Sequence, residues 1–310
     1  MRTVLAADLG GTKCRFALVS ADFGVHCVER VATVRDREPF LQQMAAAIGR
    51  VLARAGGELD APTAAGLGTA GVITPDGGAI TYAPNLPLDG FPLARFVRER
   101  FSLPAALLND GRASAWGEFL RGHAAGKDPL LCLFFGTGIG IGLMVDGRPY
   151  AGGNNAAGEI GHTVFRPDGL VCPCGRAGHF EAYCGGRAIA DRARAEIGPQ
   201  ADGHWSVQDV LAVADGGGPD AGRARAILAD AELAACVLVG NACTLYNPRA
   251  VVLGGGVLTA WPGLADSIER HVRQQTANVI HDGLTFVPSL GGSDAILWGA
   301  AAATGELWPR

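Results

Sequence analysis

The first twenty residues, MRTVLAADLGGTKCRFALVS, read as an apolar run, a Gly10-Gly11 turn carrying Thr12 and Lys13, and a second apolar run. Two short apolar runs across a glycine turn predict a β-hairpin with a polar tip. The pattern returns at Leu130 to Gly147, LLCLFFGTGIGIGLMVDG, with Gly136-Thr137-Gly138 as the turn. A third glycine turn, Gly254 to Gly256, follows the β-branched run that opens VVLGGGV. Two hairpins of one design predict two related half-domains facing a shared nucleotide cleft. The plainer alternative is a set of tight turns with no chemical task.

Between the hairpins the period of the apolar positions changes. Residues 26–34 (HCVERVATV) predict a third strand, and Leu41, Met44, Ile48, Val51 and Leu52 fall at helical spacing between Glu38 and Ala55. Residues 63–68 predict a buried strand, 69–78 a glycine and proline loop, 93–101 a short helix, 105–108 a strand, and 111–121 a helix. After the second hairpin, residues 150–181 show little periodicity, a length unusual for an inert loop in a compact domain. Helices are expected at 186–197, 206–214, 221–246 and 261–275, strands at 250–253 and 284–287, and a small-residue helix at 293–304 that packs back against the first domain. Strands followed by helices in alternation predict a mixed α/β protein.

Size turns this into two domains, since 310 residues exceed the usual single core. The expected small domain is 1–112 with 291–310, and the large one 113–290. A net charge of −4 with scattered Lys and Arg leaves no basic stripe for nucleic acid. No apolar run is expected to reach the roughly 18 to 20 residues of a membrane span, and the N-terminal run, interrupted by Asp8, does not fit a signal peptide. The eight cysteines then read as reduced thiols or metal ligands in a cytoplasmic protein. Cys14, Cys27, Cys132, Cys236 and Cys243 lie in apolar surroundings, as core residues do.

Candidate chemistry sits at the strand ends. The Gly10-Gly11 turn leaves backbone N–H groups uncovered for an anion, and Asp8 beside it suits Mg²⁺ held through water. No Walker A spacing is present, and a strand rather than a helix follows the turn. Asn109-Asp110 closes a predicted strand; Asp110 there could take a proton from an attacking hydroxyl, or the pair could simply cap the next helix. Cys172 and Cys174 in a C-P-C-G turn, with His162 ten residues before and His179 five after, offer two thiolates and two imidazoles for a structural zinc. Cys184 is a possible substitute ligand, and two core thiols with two surface histidines is the metal-free alternative. Such a site supplies on the order of 10 kcal/mol of apparent folding energy to a loop poor in apolar residues. Glu159, Glu181 and Asn85 could accept or donate hydrogen bonds to a polyol, though each also fits an ordinary surface position.

At these residues the sequence resembles the ROK family of bacterial sugar kinases. The carriers are DLGGTK (Asp8–Lys13), PNL (Pro84–Leu86), Asn109-Asp110, FGTGIG (Phe135–Gly140), GEIGH (Gly158–His162), CPCGRAGHFE (Cys172–Glu181) and LGGG (Leu253–Gly256). The resemblance implies an α/β two-domain actin-like ATPase fold (ribonuclease H-like, as in hexokinase and Hsp70) with a cleft between domains. It implies ATP with Mg²⁺ and a structural Zn²⁺, and Asp110 as the base that deprotonates a sugar 6-hydroxyl. Asn85, Asn109, Glu159, His162 and Glu181 would hold the sugar, with His162 bridging sugar and zinc. Gly10, Gly11 and Thr12, with Lys13 beside them, and Gly136 to Gly138 would hold the ATP phosphates, and Gly254, Gly255 and Gly256 would approach the adenosine. Two departures stand out: His179 replaces the family's usual cysteine, and Ile141 stands where glycine is common.

The implied reaction is phosphorylation of a hexose, glucose first, N-acetylglucosamine or N-acetylmannosamine next and fructose after, by a homodimer. Domain closure would align hydroxyl and phosphate and exclude water. Polyphosphate is an alternative donor. The family's repressors carry an N-terminal helix-turn-helix, which is not expected with the phosphate turn beginning at residue 8. Rival classes are a sugar sensor that does not consume ATP and an actin-like ATPase that needs no sugar.

Overall fold

The computed structural model describes residues 1–57, 59–200 and 203–308; the last two residues of the expected small domain therefore lie outside the described residues. The chain folds into two compact units, one of 1–127, 142–157 and 289–310 and the other of 128–141 and 158–288.

In the first unit, β1 (Thr3–Leu9), β2 (Lys13–Ser20) and β3 (Val25–Ala32) form an antiparallel meander. Helix α1 (Arg37–Ala53) follows, then β4 (Ala65–Thr69), a small ribbon of β5 (Val72–Ile73) and β6 (Ile80–Tyr82), α2 (Leu93–Phe101), β7 (Ala105–Asn109) and α3 (Asp110–Arg121). The sheet order is β3-β2-β1-β4-β7, with β1, β4 and β7 parallel. Strand side chains alternate between faces. Leu5, Ala7 and Leu9 join the core under α1, which contributes Phe40, Met44, Ile48 and Val51. Val4 and Ala6 face the other way, toward the C-terminal helix residues Ala295, Leu297, Trp298 and Ala301. The same parity puts Asp8 on the Val4 and Ala6 face.

In the second unit, β8 (Leu130–Phe135) turns at Gly136–Gly138 into β9 (Ile139–Val145), which continues into the first unit and is followed there by β10 (Arg148–Pro149). A 3₁₀ turn at Ile160–His162 and a long irregular segment lead to α4 (Glu181–Cys184), α5 (Gly186–Glu196), α6 (Val207–Asp215) and α7 (Ala221–Tyr246). Next come β11 (Ala250–Gly254), α8 (Gly256–Ala260), α9 (Gly263–Gln275), α10 (Asn278–His281), β12 (Thr285–Pro288) and finally α11 (Ser293–Ala303) in the first unit. The second sheet runs β10-β9-β8-β11-β12, with β8, β11 and β12 parallel. Its topology repeats the first, as the paired hairpins predicted.

Two expectations are corrected, and one helix was not expected: α8 precedes the helix expected at 261–275, which is α9, and Pro262 separates the two. Helix α7 contains a stretch long and apolar enough to cross a membrane, with a mean hydropathy of 1.6, so the absence of such a run does not hold. Most of that stretch, 61%, is nevertheless buried inside the protein, as suits the core helix of a domain. The segment before α4 is also less bare of apolar packing than its sequence suggests: Phe165 packs on Phe180 and Tyr183 with ring centroids 5.1 Å apart in each pair.

Helix α3 is backed by α11 at close range. A Cβ on Gly299 would lie 1.8 Å from the Ala113 carbonyl oxygen, and one on Gly117 would lie 2.1 Å from that of Ala295, so the two backbones touch only because both residues are glycine. At the far end of α3, fully buried Glu118 accepts hydrogen bonds from the Ser289 hydroxyl at 2.5 Å and the Leu290 and Gly291 N–H groups at 3.2 and 3.0 Å. The carboxylate thus fastens the chain where it re-enters the first unit.

Candidate functional site

Because β1, β4 and β7 are parallel, their carboxyl ends bring Asp8, Thr69 and Asn109 to one edge of the sheet, the usual ligand-binding edge of an open α/β sheet. Asn109 is the N-cap of α3: its Oδ1 accepts from the Arg112 N–H at 3.3 Å while its Nδ2 donates to the Gly71 carbonyl at 3.2 Å. The capping duty falls on Asn109, and Asp110 is the first helical residue, half-buried, its Oδ1 accepting from the Gly111 N–H at 2.9 Å. The two sequence alternatives for this pair are therefore divided between its members. Asp8, 9% exposed, has its pKa raised from 3.8 to about 6, first by burial and then by the Asp110 charge, with Arg15 and Lys13 opposing. A divalent cation near Asp8 would relieve this repulsion and favour the ionised carboxylate.

The first glycine turn adjoins this edge. Its carbonyls are held from the residue just beyond β3: the Thr33 hydroxyl donates to Gly10 at 2.6 Å and the Thr33 N–H to Thr12 at 2.9 Å. The loop carrying Asn85 lies on this turn, and a Cβ on Gly11 would sit 2.6 Å from the Asn85 Cβ. Arg35 donates to the Asn85 carbonyl at 2.9 Å, and Arg37 to those of Pro87 and Asp89 at 3.0 and 2.7 Å. Asn85 itself is exposed. Thus Asp8, Gly10 to Lys13, Asn85, Asn109 and Asp110 all belong to the first unit.

In the second unit the other two glycine turns share one end of the parallel trio. The carbonyls of Gly136 and Thr137 accept from Gly186 and Arg187 N–H groups of α5 at 2.9 and 3.1 Å. Gly255 has φ +100°, and a Cβ there would lie 2.3 Å from the Phe135 carbonyl oxygen, so the third turn presses against the second. Glu181 accepts from the Ile139 N–H at 2.8 Å, which ties the residue after the CPCG segment to this turn.

His162, Cys172, Cys174 and His179 come together, their donor atoms all within 4.8 Å of one another. His162 Nδ1 lies 3.5 Å from Cys172 Sγ and His179 Nδ1 lies 3.2 Å from Cys174 Sγ. A tetrahedral zinc with bonds of about 2.0–2.3 Å spaces its donors at about that separation. The donor set and the spacing both fit. Burial pushes the Cys172 thiol up to about 12, and loss of hydration with neighbouring His162 lowers His179, so a metal would meet a neutral imidazole and displace a thiol proton. Cys184 is not in this group: fully buried, it donates to the Phe180 carbonyl at 3.3 Å, and burial raises its pKa. His162 turns its other nitrogen toward exposed Glu159, with Nε2 to Oε2 3.8 Å.

The sequence matches the family model described as the ROK family over residues 4–306. The chain belongs to the ROK family. It is 30% identical over 290 residues to a glucokinase of Streptomyces coelicolor, covering 88% of each chain. It is also 30% identical over 307 residues to an N-acetylmannosamine kinase of Vibrio cholerae, covering 97% of this chain and 98% of the relative. The crystal structure of a ROK family glucokinase from Streptomyces griseus in complex with glucose and AMPPNP superimposes with a TM-score of 0.80 at 27% identity, covering 97% of this chain and 98% of the other. The fold is that of ROK sugar kinases, the actin-like ATPase fold.

Sequence reasoning missed several side chains that hold this ROK site in place. Arg112, 3% exposed on α3, Asn155 in the loop after β10, and Glu118 carry no motif. The one available signal was Arg112 and Glu118, charged residues inside a helix whose other interior positions are small or apolar.

Proposed function

We propose that this chain transfers the γ-phosphoryl group of ATP to the 6-hydroxyl of a hexose, with glucose as first substrate and the cytoplasm as its compartment. Phosphorylation of a sugar is the activity named for both 30%-identical relatives. The observation that carries the reading is Asp110, relieved of the cap by Asn109, beside buried Asp8 at the carboxyl edge of the parallel strands. Asp110 accepts the hydroxyl proton as the sugar oxygen bonds to phosphorus and the bond to the ADP oxygen breaks. Asp8 would hold Mg²⁺ through water, and that ion supplies charge neutralisation at the phosphates. Gly10 to Lys13 and Gly136 to Gly138 hold the phosphates, and Gly254 to Gly256 lie at the adenosine.

Asn85, Asn109, Glu159, His162 and Glu181 hold the sugar. Asn109 serves through the lone pair of Oδ1 that its cap leaves over, since its Nδ2 is committed to Gly71. His162, Cys172, Cys174 and His179 would hold a structural zinc that stiffens the loop; four ligands leave no open position for catalysis. N-acetylmannosamine is the second reading, supported by the nearly full-length relative. The test is ADP release by the purified chain across glucose, N-acetylmannosamine, N-acetylglucosamine and fructose, with ATP and with polyphosphate. Glucose-dependent ADP release is expected; ATP turnover that no sugar stimulates would refute the reading.

A further inference from the structure

Arg112 stands two residues after Asp110, and its guanidinium is used as a fork. Nη1 donates to the Asn155 side-chain oxygen and Nη2 to the Asn155 carbonyl at 2.8 Å. Asn155 adopts a left-handed conformation, φ +63°, which lets one residue present both oxygens to the same guanidinium. Its Nδ2 donates onward to the Thr74 carbonyl at 3.2 Å. The first turn of α3 therefore reaches two loops: Asn109 grips the loop at Gly71, Arg112 grips the loop at Asn155, and Asn155 ties the two loops together at Thr74. Only Ala156 and Ala157 separate Asn155 from the point where the chain enters the second unit at Gly158 and Glu159.

A planar fork with two parallel bonds fixes direction as well as distance, which a lysine cannot do. Burying a guanidinium at 3% exposure to grip a surface loop is costly unless the position of that loop matters. We propose that the Arg112–Asn155–Thr74 clamp is a positioning device for sugar binding, setting the start of the segment that carries Glu159 from the helix that carries Asp110. This rests on the sugar-kinase reading above.

Steady-state kinetics on Asn155→Ala, Arg112→Ala and the double variant test it, with glucose and ATP varied separately. The clamp predicts that each single variant raises the hexose KM by about tenfold while the ATP KM stays within about twofold, because ground-state sugar contacts are lost and nucleotide contacts are not. The double variant should be no worse than the singles, since either change opens the same clamp. Arg112→Ala removes a buried charge and can fail to fold; half-buried, neutral Asn155→Ala then carries the test alone. An unchanged hexose KM in Asn155→Ala, a parallel rise of both KM values, or additive effects in the double variant would overturn the clamp while leaving the kinase reading intact. A wild-type chain that phosphorylates no hexose would overturn both.

Discussion

Replacing Asp8 by asparagine removes a charge that the fold tolerates at a measurable cost. The Asp8 pKa rises from 3.8 to about 6, with burial the main cause and the Asp110 carboxylate the second. Between those pH values the folded chain binds more protons than the unfolded one, so stability falls as pH rises through the window. At about 1.4 kcal/mol per pH unit, keeping Asp8 ionised above pH 6 costs about 3 kcal/mol. The isosteric, uncharged amide of Asp8→Asn carries no such penalty. Urea unfolding of both proteins from pH 4 to pH 8 should show the variant gaining on wild type as pH rises, to a lead of about 3 kcal/mol at pH 7.5. Mg²⁺ should narrow that lead by stabilising the ionised aspartate, and the variant should lose kinase activity even though it is the more stable protein. A stability difference that stays constant from pH 4 to pH 8 would show that Asp8 is not the strained carboxylate the geometry makes it.

Asp110→Asn should lower kcat by about 10²–10⁴-fold, the usual contribution of a general base, while glucose affinity measured by calorimetry changes little. Prolonged dialysis against a strong chelator, or Cys174→Ser, should release zinc measurable by elemental analysis, raise protease cleavage within 163–178, and raise the glucose KM. Glu118→Gln keeps the shape of the buried carboxylate but turns an amide toward groups that all donate. Its expected cost is about 2–4 kcal/mol in urea unfolding, from N–H and O–H groups left without an acceptor.

The sequence announced what is local and periodic. The β1 and β8 hairpins, α1 and α7 follow from apolar spacing and glycine placement, and the four zinc-type donors were visible because CPCG and its flanking histidines lie within eighteen residues. Less legible were the features that depend on distant partners. Whether Asn109 or Asp110 would cap α3 turned on where β7 ends, a matter of one residue. Helix α8 was hidden because it begins within a run of three glycines, and the Phe165, Phe180 and Tyr183 packing because those rings are spread through a segment without period. Arg112 drew no notice because Asn155, its partner, is 43 residues away in the sequence.

The glycine seam between α3 and α11 has a consequence for anyone editing this protein. With carbonyl oxygens of each helix filling the space where a methyl would stand on the other, the pair cannot be retuned by exchanging side chains, and any lesion in the C-terminal helix is passed through bare backbone to the aspartate at the head of α3. If Asp110 is the base proposed above, a deletion or bulky substitution near residue 299 would then register as a loss of turnover from a lesion in another helix.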